Sequence, residues 1–221
     1  PFASKVMFTF KDSGEYIGNK GSYIGPVIRE QIKNGDAASG RKLYGFTEDK
    51  PIMVVLGGSL GSKVVNDCIR DNLDEILKKF NVLHGVGSGN IDADIEREGY
   101  VQVEYINKAM NDTLAMADLI VSRAGANAIF EFLYYNKPML LIPLDVNQSR
   151  GDQIINAVKF EKMNYAGVLL EKDITDETFM NKIEEIMNNS ESMINAQKDF
   201  VFQDAITILE NELRKLAEKA R

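Results

Sequence analysis

Ile52-Met53-Val54-Val55-Leu56-Gly57-Gly58-Ser59-Leu60-Gly61-Ser62-Lys63 is the stretch that decides the fold. An unbroken apolar run that stops at glycine reads as a buried strand. The residues after it, Lys63 to Phe80, place Val64, Val65, Cys68, Ile69, Leu73, Ile76, Leu77 and Phe80 on one face of a helix. A strand turning through glycines into a helix is the opening unit of an α/β fold, and the alternation repeats downstream. Strands are predicted at Val82 to His84, Tyr100 to Val103, Leu119 to Val121, Met139 to Ile142 and Val168 to Leu170. Helices are predicted at Ala126 to Tyr135, Gln153 to Met163 and Asp176 to Met187, with one long helix from about Met193 to the end. This order predicts a doubly wound, Rossmann-like parallel sheet, with ligands at the carboxyl ends of its strands.

Upstream, Lys5 to Phe10 and Ser22 to Ile24 read as strands, with a short polar helix around Asp12 to Ile17 between them. The breaker Gly25-Pro26 is followed by an expected short helix ending near Asn34-Gly35, and Arg41 to Pro51 reads as a polar linker. The expected division is an interdomain segment and linker over residues 1–50, a ligand-binding domain over 51–190 and a C-terminal helix over 191–221. A chain that opens at Pro1 without a methionine reads as the interior of a larger protein.

Composition narrows the chemistry. The 221 residues are 44% hydrophobic, which excludes disorder, and Cys68 stands alone, which excludes a disulfide framework and suits a reducing cytoplasm. With 26 Lys and Arg against 33 Asp and Glu, the net charge of −7 argues against general nucleic-acid binding. One histidine and one cysteine cannot make a His/Cys metal cluster. No cofactor is expected.

Three segments carry candidate chemistry. In Gly57-Gly58-Ser59-Leu60-Gly61-Ser62, glycines let backbone approach a ligand and the next helix offers its positive end to an anion. Without a Gly-Lys-Ser/Thr sequence, the loop is not a Walker A motif. Ser122-Arg123-Ala124-Gly125-Ala126-Asn127-Ala128 again joins strand to helix, with Arg123 adding positive charge. Glu131 follows on that helix among Phe130, Phe132 and Leu133, a carboxylate placed to accept from ribose hydroxyls or to serve the helix dipole. In Arg150-Gly151-Asp152-Gln153-Ile154-Ile155-Asn156, the amides of Gln153 and Asn156 point the same way and suit sugar hydroxyls, while Asp152 reads as a helix cap. Gly85-Val86-Gly87-Ser88-Gly89 departs from dinucleotide spacing, and Asp92-Ala93-Asp94 reads more readily as helix-start acids than as a metal site. His84, at a strand end, reads as structural or pocket-lining.

Taken together, Gly57 to Gly61 with Asn66, Ser122 to Ala126 with Glu131, and Gly151 to Gln153 with Asn156 resemble the MurG family. These are the UDP-N-acetylglucosamine:undecaprenyl-pyrophosphoryl-muramoylpentapeptide N-acetylglucosaminyltransferases. The resemblance implies the donor-binding half of a two-domain GT-B enzyme, inverting and metal-independent, acting at the inner face of the bacterial membrane. Its donor is UDP-N-acetylglucosamine, and its acceptor is a lipid-linked muramoyl-pentapeptide held by the other half, which is also implied to supply the base and the membrane contact. No catalytic residue is therefore assigned in this chain. By the same resemblance, Ser59 and Asn66 line the donor site, Arg29 meets the diphosphate, and the Ile106 backbone reads the uracil edge. The N–H groups of Ala124, Gly125 and Ala126 serve phosphate, Glu131 the ribose, and Gln153 and Asn156 the N-acetylglucosamine, and Arg123, for its positive charge, joins the candidate UDP-N-acetylglucosamine-binding residues. The alternatives are a UDP-sugar-binding module that needs a partner chain and a non-hydrolysing 2-epimerase, which would need several cleft carboxylates and a histidine.

Overall fold

The computed structural model describes residues 3–47, 49–106, 109–147 and 150–219. Packing divides the chain into two compact units, Glu30–Asp199 and Pro1–Arg29 with Phe200–Arg221. The division expected from sequence, at residues 50 and 190, is a reading of function, and packing places its boundaries elsewhere.

In the terminal unit, β1 (Val6–Phe8) pairs in parallel with β2 (Gly21–Tyr23), Val6 opposite Gly21. A single turn of 3₁₀ helix at Lys11–Ser13 leads into the short α1 (Gly14–Ile17) between them. The last helix of the chain belongs to this unit, and Lys5 Nζ lies 3.5 Å from Glu212 Oε2 on it.

The larger unit opens with a difference from expectation. Glu30–Ile32 is only one 3₁₀ turn, and the helix, α2, lies over Ala37–Tyr44, running into the stretch from Arg41 read as linker. Asp36 caps it by accepting from Ser39 N–H at 2.7 Å, and Gly45 ends it at a φ of +71°. Polarity hid α2 because glycine, not an apolar stripe, makes its packing: a Cβ on Gly40 would sit 2.5 Å from the carbonyl oxygen of Asp112. That carbonyl belongs to α5 (Met110–Met116), a two-turn helix absent from the sequence reading.

The sheet is built from β3 (Ile52–Leu56), β4 (Asn81–Gly85), β5 (Tyr100–Val103), β6 (Leu119–Ser122), β7 (Met139–Leu141) and β8 (Gly167–Val168). All pair in parallel, in the order β5-β4-β3-β6-β7-β8, with Ile52 opposite Asn81 and Met53 opposite Leu119. Ile52, Met53, Val54 and Val55 are all fully buried, so both faces of β3 are covered, as an unbroken apolar run requires. The predicted helix Lys63 to Phe80 is two helices, α3 (Lys63–Asp71) and α4 (Leu73–Lys79). Asn72 breaks it, because its Nδ2 donates to Cys68 O at 2.9 Å and to Asp176 Oδ1 at 3.0 Å. Beyond these come α6 (Ala126–Tyr134), α7 (Asp152–Lys162), α8 (Asp176–Asn188) and α9 (Ser190–Lys198). The expected long final helix stops at Lys198 and restarts as α10 (Ala205–Lys219). Val65, Ile69, Leu73 and Ile76 pack with Phe179 and Ile183 of α8 against Met53, Val55 and Val82 of the sheet.

This strand order reverses direction between β3 and β6. The chain runs outward to β5, then returns to the far side of β3, so the loops after β3 and β6 leave the sheet side by side at a crevice.

Candidate functional site

The loops at that crevice are tied together by backbone proximity and by side chains. Gly58 and Gly61, with φ of +92° and +75°, turn the chain out of β3, and Gly61 N–H donates to Gly58 O at 3.0 Å. A Cβ on Gly61 would fall 2.0 Å from Val86 O, and one on Gly87 2.2 Å from Gly61 N, so the loops after β3 and β4 touch backbone to backbone. Here is the role of Gly85 to Gly89: this loop supports the first glycine loop. Ser59 is exposed at the tip. Asn90 Nδ2 reaches both Leu60 O and Val86 O at 3.2 Å, and Glu104 Oε1 accepts from Gly89 N–H at 2.7 Å.

Asn66, on α3, is 3% exposed, and both ends of its amide are engaged: Nδ2 donates to Val86 O at 2.9 Å, and Oδ1 lies 3.0 Å from His84 Nε2. It stands behind the glycine loops and ties them together. Ile106, half-buried beyond β5, comes near the end of β4, its Cδ1 3.9 Å from where a Gly85 Cβ would lie.

The second turn is strapped to the first. Ser122 Oγ donates to Leu56 O at 3.0 Å, and Arg123 Nη2 donates to Ser62 Oγ at 2.6 Å. Ser62 also caps α3 by accepting from Val65 N–H. Arg123 further donates to Ile142 O at 3.1 Å, and its Nη2 lies 2.5 Å from Glu171 Oε1, an ion pair without hydrogen-bond alignment whose side chains are 11% and 10% exposed. The free positive charge expected of Arg123 is thus spent on holding the ends of β3, β6 and β7. What the turn offers outward is backbone: Gly125 is the N-cap of α6 with no side-chain cap, and a Cβ there would meet nothing within 4 Å. The start of α6, where the positive end of the helix lies, thus has no side-chain cap and borders open space at Gly125. Ala124 is fully buried, and Glu131 lies within the buried stretch of α6 at 5% exposure.

At the third segment, Gly151, at a φ of +78°, is the N-cap of α7, and Asp152 is the helix's first residue, not the cap expected for it. Gln153 Oε1 accepts from Leu144 N–H at 3.1 Å, and Asn156 Nδ2 donates to Ala124 O at 3.1 Å. Those partners fix both amide orientations and leave a donor on Gln153 and an acceptor on Asn156. The acids at Asp92 and Asp94 start no helix. Asp92 Oδ1 accepts from Asp94 N–H at 3.1 Å in a local turn, and among the described residues no three His, Cys, Asp or Glu side chains gather to hold a metal ion. Burial pushes the Cys68 thiol up to about 12, so it is a packing residue and no nucleophile. Arg29 belongs to the terminal unit.

Ser62, Asn90 and Glu171 escaped the sequence reading. Ser62 carried the signal of a serine just before an amphipathic run. Asn90 and Glu171 carried none, since their partners are distant in the chain.

Comparison with known proteins gives the family. The model of the glycosyltransferase family 28 C-terminal domain matches residues 52–216. A UDP-N-acetylglucosamine--N-acetylmuramyl-(pentapeptide) pyrophosphoryl-undecaprenol N-acetylglucosamine transferase of Geobacillus kaustophilus is 48% identical over 193 residues, which is 86% of this chain and 54% of that protein. A Clostridium botulinum protein of the same name is 45% identical over 211 residues, 95% of this chain and 59% of the relative. The chain thus spans just over half the length of the relatives it matches. In fold, it resembles the crystal structure of Acinetobacter baumannii MurG, with a TM-score of 0.66 at 19% identity over 96% of this chain and 65% of that one. It also resembles a calicheamicin glycosyltransferase, at 0.67 and 14% identity over 96% of this chain and 52% of that one. The sheet, its switch point and these matches agree: the chain belongs to the glycosyltransferase family 28 C-terminal domains, within the MurG family.

Proposed function

We propose that this chain is the donor-binding half of an inverting, metal-independent transferase. The transferase moves N-acetylglucosamine from UDP-N-acetylglucosamine to a lipid-linked muramoyl-pentapeptide. The observation that carries the reading is the uncapped N-terminus of α6, opening at the switch point between the first glycine loop and the two amides of α7. A diphosphate needs N–H donors and positive potential, and a leaving UDP needs them most. In this reading, the backbone of Ala124, Gly125 and Ala126 receives phosphate, while Arg123 and Asn66 hold the loops that shape the pocket. Ser59 lies at its rim, the Ile106 backbone reads the uracil edge, and Glu131 accepts from the ribose. Gln153 donates to one sugar hydroxyl and Asn156 accepts from another.

The acceptor, the catalytic base and the peripheral contact with the inner face of the membrane belong, on this proposal, to the other half of the enzyme. No described helix is long and apolar enough to cross a membrane. Transfer can be followed with labelled UDP-N-acetylglucosamine and a lipid-linked muramoyl-pentapeptide. The chain alone is expected to give no product, and adding the acceptor-binding half should restore turnover. Turnover by the 221-residue chain alone would refute the proposal.

A further inference from the structure

The only histidine of the chain is fully buried, and its position is explained by neither packing nor chemistry at the crevice mouth. His84 is the fourth residue of β4, with Asn66 Oδ1 3.0 Å from Nε2 and the Tyr100 hydroxyl 2.8 Å from Nδ1. Its protonation follows from the partners. Val86 O only accepts, so the Asn66 group facing it is the NH₂, and Oδ1 is left to face the imidazole. An amide oxygen only accepts, so Nε2 carries the proton. Nδ1 then accepts from the Tyr100 hydroxyl.

We infer that His84 is a positioning residue for the donor site: as a neutral, Nε2-protonated imidazole it locks the Asn66 amide on Val86 O and so fixes the loop after β4 against the glycine loop after β3. The inference rests on the donor-site reading of that loop. Three features give it reach. Val86 O accepts from both Asn66 and Asn90, and Asn90 also holds Leu60 O, one residue from Ser59. The backbones at Gly61 and Gly87 are too close for any side chain between them, so movement of one loop moves the other. Rotating the Asn66 amide would put oxygen against oxygen at Val86 and leave the imidazole proton unpaired inside the protein.

Protonation would reverse one bond of the array, because a charged imidazole can only donate to the Tyr100 oxygen. Burial and the Arg70 guanidinium on α3 hold the His84 pKa down, to about 3, so the neutral form persists through the physiological range. The other groups bearing on the pair are Tyr100, whose hydroxyl is pushed up by burial, and Asp92, whose charge bears on Tyr100.

A single imidazole makes the test direct. Nitrogen-15 NMR of the full chain should show one Nε2–H tautomer that does not titrate between about pH 8 and pH 5. Glutamine can present its N–H where Nε2 stands, and leucine cannot. His84→Gln should therefore keep the Gly58, Gly61 and Gly87 amide signals and UDP affinity near the parent values. His84→Leu should shift those signals and weaken UDP about tenfold while remaining folded. If His84→Leu fails to fold, Tyr100→Phe is the second probe, expected to shift the histidine and loop signals together. An Nδ1–H tautomer, titration near the ordinary histidine range, or loop signals identical in all variants would overturn the inference. Those readouts need no ligand, so failure of UDP to bind would count against the donor reading alone.

Discussion

Gln153 and Asn156 each spend one end of an amide on the fold, which is why their free ends can be assigned and used for prediction. Gln153→Ala removes a donor and loosens only Leu144, so it should weaken UDP-N-acetylglucosamine by about 1 kcal/mol, roughly fivefold, and leave UDP almost unchanged. Asn156→Ala also frees the buried carbonyl of Ala124, within the turn assigned to phosphate, and should weaken both ligands. Titration calorimetry of the two variants with the two ligands checks this, and a Gln153→Ala loss shared by UDP would take that residue off the sugar. Glu131 makes the sharper case. A carboxylate can accept from both ribose hydroxyls at once, and hydrogen bonds to a charged group contribute about 1.5–3 kcal/mol. Glu131→Ala should therefore weaken UDP about tenfold or more and abolish the preference for UDP over its 2′,3′-dideoxy analogue. A folded variant that keeps the parent's preference would leave Glu131 as a charge serving its helix.

Between elements, Arg123 and Glu171 decide whether the ends of the strands stay in register. Removing one partner of a nearly buried pair leaves the other charge uncompensated, at a cost of about 3 kcal/mol or more. Urea unfolding should show that loss for Arg123→Leu, and Arg123→Leu with Glu171→Leu together should be less destabilised than the sum of the single variants. Strict additivity would mean that the two side chains do not act as a pair. The same elements show what was legible beforehand. Five of the six sheet strands and the turns after β3, β6 and β7 stood out because each strand is a short, mainly apolar run in alternation with segments of helical period, and β3, buried on both faces, is an unbroken apolar run ending at glycine. The last strand, β8, is only Gly167–Val168, where the reading placed Val168 to Leu170. Helix α2 was missed because its contact is a glycine, and the break at Asn72 because the apolar stripe runs on across it. In the candidate site, the helix start after β6 could be read from sequence, since small residues stand there between an apolar strand and an apolar helix. The partners of Arg123 and Asn66 could not, because Ser62 lies 61 positions from Arg123 and Val86 lies 20 from Asn66. A guanidinium that looks free in sequence was spoken for by tertiary contacts.

For the whole molecule, the central claim is that the sheet and the uncapped start of α6 bind a nucleoside diphosphate sugar without a metal ion. The net charge of −7 makes this demanding, since the anion must be attracted locally against the field of the whole chain. On the proposed reading, backbone N–H groups at α6 are to meet that demand, being fixed before the ligand arrives as a surface lysine is not. Salt should weaken the interaction less than it would a site made of exposed cations. Titration calorimetry of the full chain with UDP-N-acetylglucosamine, in EDTA and again with added Mg²⁺ or Mn²⁺, tests the claim most directly. Saturable binding at one site with the same affinity in both conditions is the expected result, and binding that appears only with the divalent ion, or not at all, would contradict it.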